Sequence, residues 1–206
     1  MRKILAGSLF VSLVFSGGLS KTEKRIQEYV EKHSEEAIDL IEKVVNINSG
    51  TLNIDGNRTV GNIFQAELDQ LGFNTYWVTY PENIKRSGHL FAEMRGGKGK
   101  RIVLIGHLDT VFEPDDPFQR FIRDGDTAYG PGVADMKAGD VSMIYVMKAL
   151  DKVGVLKNLE LTLVFTGDEE KTGGPPSVVR KELIKAGKWA NIGLGFEGAH
   201  GMNTGT

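Results

Sequence analysis

Ile102-Val103-Leu104-Ile105-Gly106-His107-Leu108-Asp109 passes without a break from four aliphatic residues to an imidazole and a carboxylate. A continuous apolar run of this kind reads as a strand buried on both faces, as in a parallel sheet. The same transition occurs twice more. Leu161-Thr162-Leu163-Val164-Phe165 runs into Thr166-Gly167-Asp168-Glu169-Glu170, and Ile192-Gly193-Leu194-Gly195-Phe196 runs into Glu197-Gly198. Open α/β sheets bind ligands beyond the carboxyl ends of their strands, so the three polar clusters are expected along one edge. A fourth cluster, Gly130-Pro131-Gly132-Val133-Ala134-Asp135-Met136-Lys137, stands just before a helix and lets Asp135 reach that edge too.

Working outward, apolar residues at helical spacing predict one helix over Lys21–Val45 and a second over Arg58–Leu71, stopped by Gly72. Asn74–Tyr80 reads as a strand rich in aromatic and β-branched residues. His89–Met94 and Arg101–Gly106 read as a hairpin joined through Gly96-Gly97-Lys98-Gly99. A long polar loop is expected from Asp109 to Asp135, then helices over Lys137–Val153 and Ser177–Ala186. Strands alternating with helices give an α/β fold class, a three-layer domain whose mostly parallel, mixed central sheet is flanked by helices. The His89–Gly106 hairpin supplies the antiparallel edge.

The net charge of −2 lacks the basic excess that nucleic-acid phosphates demand. There is no cysteine, so neither a disulfide framework nor a thiolate zinc site is available, and any metal must be held by His, Asp and Glu. Arg2 and Lys3 precede an apolar run from Ile4 to Phe15 and the small residues Ser16-Gly17-Gly18. That order predicts a secretory signal peptide over residues 1–20 and a periplasmic or secreted protein. The run is too short to span a bilayer comfortably, so no stable membrane insertion is expected after cleavage. Residues 21–206 are left to form the folded domain.

Imidazole and carboxylate without thiolate suit zinc in a hydrolytic role, with a position left open for water. Two metals about 3.5–4 Å apart need a bridging carboxylate, and Asp135 is the natural candidate. Side chains of consecutive residues diverge at a strand-to-loop junction. One of Glu169 and Glu170 can therefore ligate metal while the other faces the attacking water as general base. Asp109, two residues beyond His107, can point back to the free ring nitrogen and fix the imidazole tautomer.

His107-Leu108-Asp109-Thr110-Val111-Phe112, the Gly130–Gly139 segment, Thr166-Gly167-Asp168-Glu169-Glu170 and Phe196-Glu197-Gly198 resemble, in order and spacing, the zinc metallopeptidase family of glutamate carboxypeptidase. Its relatives include aminoacylase, acetylornithine deacetylase and succinyl-diaminopimelate desuccinylase. The resemblance runs from about residue 30 to the C-terminus. It implies a phosphorylase/hydrolase-like zinc peptidase catalytic domain. His107 and Glu197 would hold one zinc, Asp135 would bridge, and Glu170 would hold the second. Glu169 would be the general base, with Asp109 supporting His107. Cobalt or manganese are the alternative metals. The implied substrates are small peptides or N-acyl amino acids, and the intact enzyme would be a homodimer.

A Glu rather than Asp at position 197 resembles the carboxypeptidases and acylases more than the aminopeptidases. Family members continue into a lid and dimerisation domain and a last segment that supplies a further His ligand. His33, His89 and His200 do not fit that role and read as surface histidines. The chain thus reads as the N-terminal portion of the catalytic domain, truncated before lid and final ligand, and inactive or weakly active alone. The competing readings are a truncated inactive metal-binding remnant, or an aminopeptidase on the same scaffold. A P-loop, a His-Glu-x-x-His helix and a Gly-x-Ser-x-Gly elbow are all missing, which excludes those chemistries.

Overall fold

The structure, a computed structural model, describes residues 18–198. Most of the expected signal segment, and His200, lie outside the described residues. Ser20 caps helix α1 (Lys21–Lys32) by accepting from the Glu23 N–H, while the Glu23 side chain accepts from the Ser20 N–H in return. The single helix expected over Lys21–Val45 is two. His33, at φ −106° and ψ 16°, separates α1 from α2 (Ser34–Val45), and the Ser34 hydroxyl donates to the Glu31 carbonyl across the break. The reason is packing: α1 buries no residue completely, whereas α2 buries Leu40, Val44 and Val45 and turns at His33 to do so. Helix α3 (Ile54–Gln70) starts earlier than the expected Arg58 because the Asn53 side chain accepts from the Gly56 N–H.

Strands β1 (Asn74–Val78), β2 (His89–Met94), β3 (Arg101–His107), β6 (Glu160–Thr166) and β7 (Ile192–Gly195) form one sheet in the order β1-β2-β6-β3-β7. A separate hairpin of β4 (Ile122–Asp124) and β5 (Thr127–Tyr129) lies within the segment expected to be all loop. Helix α4 (Ala138–Lys152) precedes β6; the short α5 (Pro176–Val179) and α6 (Lys181–Trp189) follow it. The helix expected over Ser177–Ala186 is thus broken at Arg180 (φ −110°, ψ 5°).

The expected β2–β3 hairpin does not form. Strand β6 lies between them, antiparallel to β2 and parallel to β3. The antiparallel edge is instead β1 on β2. The glycine run after β2 makes a crossing, not a hairpin turn. Gly96 donates its N–H to Glu160 at the start of β6, and Gly97 lies against the Asn158 carbonyl where a Cβ would not fit. The buried β6 takes the centre. Four of the five strands, all but β2, point the same way.

Helices cover both faces. On one, Phe64, Leu68, Met143, Ile144 and Phe165 are fully buried between α3, α4 and the sheet, and the Phe64 and Phe165 rings stand 5.4 Å apart. Each such phenylalanine contributes about 2–3 kcal/mol by leaving water. On the other face Phe91, Val103 and Val164 pack under Leu183 and Ala186 of α6. This rigid stack holds the ends of β6, β3 and β7 side by side.

Candidate metal centre

Register brings the polar clusters level. Thr166 pairs with His107, and Ile105 pairs with Gly195, so two residues further on Glu197 stands beside His107. Glu169 and Glu170 leave the end of β6 on the other side. Asp135 comes from the turn before α4. There Gly132, at φ 75°, adopts a left-handed conformation that bends the chain until the Lys137 N–H reaches the Gly132 carbonyl at 2.8 Å. Helix α4 can lie this close to β3 only because residue 106 is glycine. A Cβ there would run into the Asp140 carboxylate and Met143.

His107 Nε2 lies 3.0 Å from Asp135 Oδ1. Its Nδ1 lies 2.9 Å from the main-chain carbonyl of Asp109 and 3.6 Å from the Asp109 carboxylate, so the nearer support comes from the backbone. The buried Asp109 carboxylate has further work. Oδ1 accepts from the Glu169 N–H at 3.0 Å, and Oδ2 accepts from the Glu170 N–H at 3.1 Å and the Thr51 hydroxyl at 2.7 Å. It ties the two glutamates to the end of β3.

Ligand atoms of His107, Asp135 and Glu197 lie within 4.8 Å of one another, and so do those of His107, Glu169 and Glu170. The donor set fits divalent cations. With Nδ1–H donating to a carbonyl, a neutral His107 would aim its Nε2 lone pair at an Asp135 oxygen, which is favourable only with a cation between them. Burial disfavours the charged ring, but the Asp109 carboxylate and then the charge of Asp140 outweigh it, and the His107 pKa is pushed up to about 10. Asp109 is held below the usual range despite burial, by His107, Thr51 and the Glu169 N–H. Glu170 is pushed up by burial and by the charge of Asp135. Glu169 is exposed, whereas Glu170 is half-buried.

All six residues singled out in the sequence therefore meet at one edge. Sequence reasoning missed what lies under them. Lys137 is wholly buried, and its ammonium donates to the Val44 and Ile47 carbonyls at the end of α2. Burial brings its pKa down to about 7 against the opposing charge of Asp140. Asp140 and Asp168 are also fully buried. His89 is a correction: it is 1% exposed and bonded to Tyr80 and Val179, not a surface residue. Its apolar strand neighbours carried that signal. His33 is half-buried at the junction of α1 and α2, with Nδ1 2.9 Å from Glu36.

The peptidase family M20/M25/M40 model matches residues 103–203, the span that contains every cluster but the helices before it. This span matches the M20 peptidase family. It is 31% identical over 192 residues to carboxypeptidase G2 of Pseudomonas sp. (strain RS-16), covering 91% of this chain and 45% of that protein. It is 32% identical over 113 residues to the succinyl-diaminopimelate desuccinylase of Gluconacetobacter diazotrophicus, covering 52% and 29%. The chain thus spans less than half the length of these relatives. The structure of human carnosine dipeptidase 1 superposes with a TM-score of 0.71 at 17% identity, over 84% of this chain and 40% of that one. The M20 family metallo-carboxypeptidase Sso-CP2 from Sulfolobus solfataricus gives 0.60 at 21%, over 80% and 37%. Both share the fold. M20 peptidases are in general metal-dependent, and this chain has groups that could hold a metal.

Proposed function

We propose that the intact protein is an exported, zinc-dependent hydrolase that cleaves the amide bond of a small peptide or N-acyl amino acid. The observation that carries this reading is the convergence of His107, Asp135, Glu169, Glu170 and Glu197 at the carboxyl ends of β6, β3 and β7. His107 and Glu197 would hold one zinc, with Asp135 and Glu170 placed to serve a second. When bound, the metal supplies Lewis acidity that polarises a carbonyl and acidifies a water.

The protein groups do the rest. Asp109 keeps the proton of His107 on Nδ1 and fixes the backbone of both glutamates. The exposed Glu169 accepts the proton of the attacking water as oxygen adds to the amide carbon. It returns that proton to the nitrogen as the C–N bond breaks, which regenerates the carboxylate. The name of the relative carboxypeptidase G2, together with Glu at position 197, favours carboxypeptidase or deacylase action over aminopeptidase action.

Metal analysis of the purified full-length protein is expected to find zinc, and Glu169→Gln to lower amide hydrolysis by about 10²–10⁴-fold with zinc content unchanged. Normal turnover in that variant with metal bound would remove Glu169 from the role of base. Preference for N-acylated over free-amino substrates separates the carboxypeptidase or deacylase reading from the aminopeptidase one.

A further inference from the structure

The segment Gly167–Gly173 carries both Glu169 and Glu170, and Asp109 anchors it on the metal side only. Its other side is held by a closed circuit of polar groups, of which Asp168 and His89 are buried. Arg180, at the break between α5 and α6, donates through Nη1 to Asp168 Oδ1, and through Nη2 to the Asp168 carbonyl at 2.9 Å and the Thr172 hydroxyl at 3.3 Å. Asp168, wholly buried, accepts from the Gly173 N–H at 2.9 Å through its other oxygen and from the Tyr80 hydroxyl at 3.3 Å. The Gly167 N–H donates to His89 Nδ1 at 3.3 Å, which leaves Nε2–H to donate to the Val179 carbonyl at 2.8 Å, one residue before Arg180. The circuit runs from Gly167 through His89 to Val179 and Arg180, then back through Asp168.

We propose that Arg180 is a positioning residue, which sets where Glu169 and Glu170 stand by clamping Asp168 and Thr172. This inference rests on the hydrolytic reading above. Arg180 lines the same cavity, about 440 Å³, as His107, Glu169 and Glu197, and among the described residues it is the only Lys or Arg in that lining. Three of its five N–H donors go to Asp168 and Thr172, so its attachment is to the loop, and the role assigned to it is through the loop. The planar guanidinium suits this task, since it reaches a side chain and a carbonyl of one residue at once; an ammonium is a single point charge. Three consecutive carboxylates, Asp168 to Glu170, would otherwise spread by mutual repulsion.

The test uses the full-length protein with Co²⁺ as probe, its affinity measured by chelator competition and its coordination by visible absorption. Arg180→Met is expected to weaken the Co²⁺ ion that depends on the loop glutamates by about 10–100-fold, while the ion held by His107 and Glu197 keeps its affinity. Its kcat is expected to fall with KM little changed, and Arg180→Lys to recover part of both losses. Parental Co²⁺ affinities, absorption and kcat in a folded Arg180→Met protein would overturn the proposal. If Arg180→Met does not fold, Arg180→Lys decides: a lowered affinity for one ion supports the clamp, and parental values overturn it. A parent that binds no Co²⁺ and cleaves no amide overturns the hydrolytic reading and this proposal together. A competent parent with unaffected variants overturns this proposal alone.

Discussion

Asp140 and Asp168 are both completely buried, one beside β3 and one after β6, yet they are treated in opposite ways. Asp168 is surrounded by Arg180, Tyr80 and the Gly173 N–H. Neither oxygen of Asp140 has a hydrogen-bond partner among the described residues. Burial pushes its carboxyl well above the ordinary range, and the nearby charges of His107 and Lys137 offset only part of that. The difference follows from what each supports. Asp168 sits in an irregular loop whose backbone has little else to hold it, so a partnered carboxylate there organises the chain. Asp140 sits in the first turn of α4, where the helix already holds the backbone, and a proton can meet the cost of burying it.

The same substitution at both positions should therefore have opposite consequences. Asp168→Asn removes the charge facing a guanidinium that is 17% exposed. Breaking one partner of a buried ion pair costs about 3–5 kcal/mol, and the partial exposure of Arg180 places this near ~3 kcal/mol. Chemical denaturation of the metal-free protein at neutral pH reads it directly. A loss within ~0.5 kcal/mol of zero, the range of ordinary surface substitutions, would mean that the two aspartates are not different in kind.

A smaller effect is expected on the Asp140 side. Gly106→Ala drives a methyl into the Asp140 carboxylate and Met143, and overpacking of this sort costs about 1–3 kcal/mol. Asp140→Ala in the same chain opens the space. The double variant is then expected to be more stable than the sum of the two single losses predicts, since contacting residues couple. Strict additivity in thermal melts would show that α4 simply moves away from β3 and that Asp140 is not held.

How much of this was legible in the sequence depends on range. The strands ending in His107, Thr166 and Gly195 announce themselves by apolar runs, and their parallel register then brings His107, Glu169, Glu170 and Glu197 together with Asp135. The sheet order was not legible, because a glycine run reads equally as a hairpin turn or as a close crossing past Asn158. The helix breaks at His33 and Arg180 were hidden too, since neither carries Pro or Gly and both are set by tertiary contacts. Buried polar residues were the hardest. Asp140, Lys137, Asp168 and His89 look like surface residues, and only the fold shows that Lys137 caps the end of α2 or that Arg180 returns to Asp168 across the site.

The smallest effect expected is also the one with the clearest pH signature. The folded protein raises the Asp140 pKa above that of the unfolded chain, about 3.9 for an ordinary aspartate. Below that pH both states hold the proton and burial costs nothing through ionisation. As pH rises past it the unfolded chain releases the proton while the folded one retains it, so stability falls until the folded carboxyl also ionises. Asparagine has no proton to lose. Asp140→Asn is therefore expected to gain on the parent steadily from about pH 4 towards neutrality, while Asp168→Asn stays less stable than the parent at neutral pH. Urea denaturation across that range, on protein freed of metal with a chelator, measures the difference. A gap between Asp140→Asn and parent that does not change with pH would show that Asp140 is ionised in the fold. Its charge would then have found the partner that the structure withholds from it.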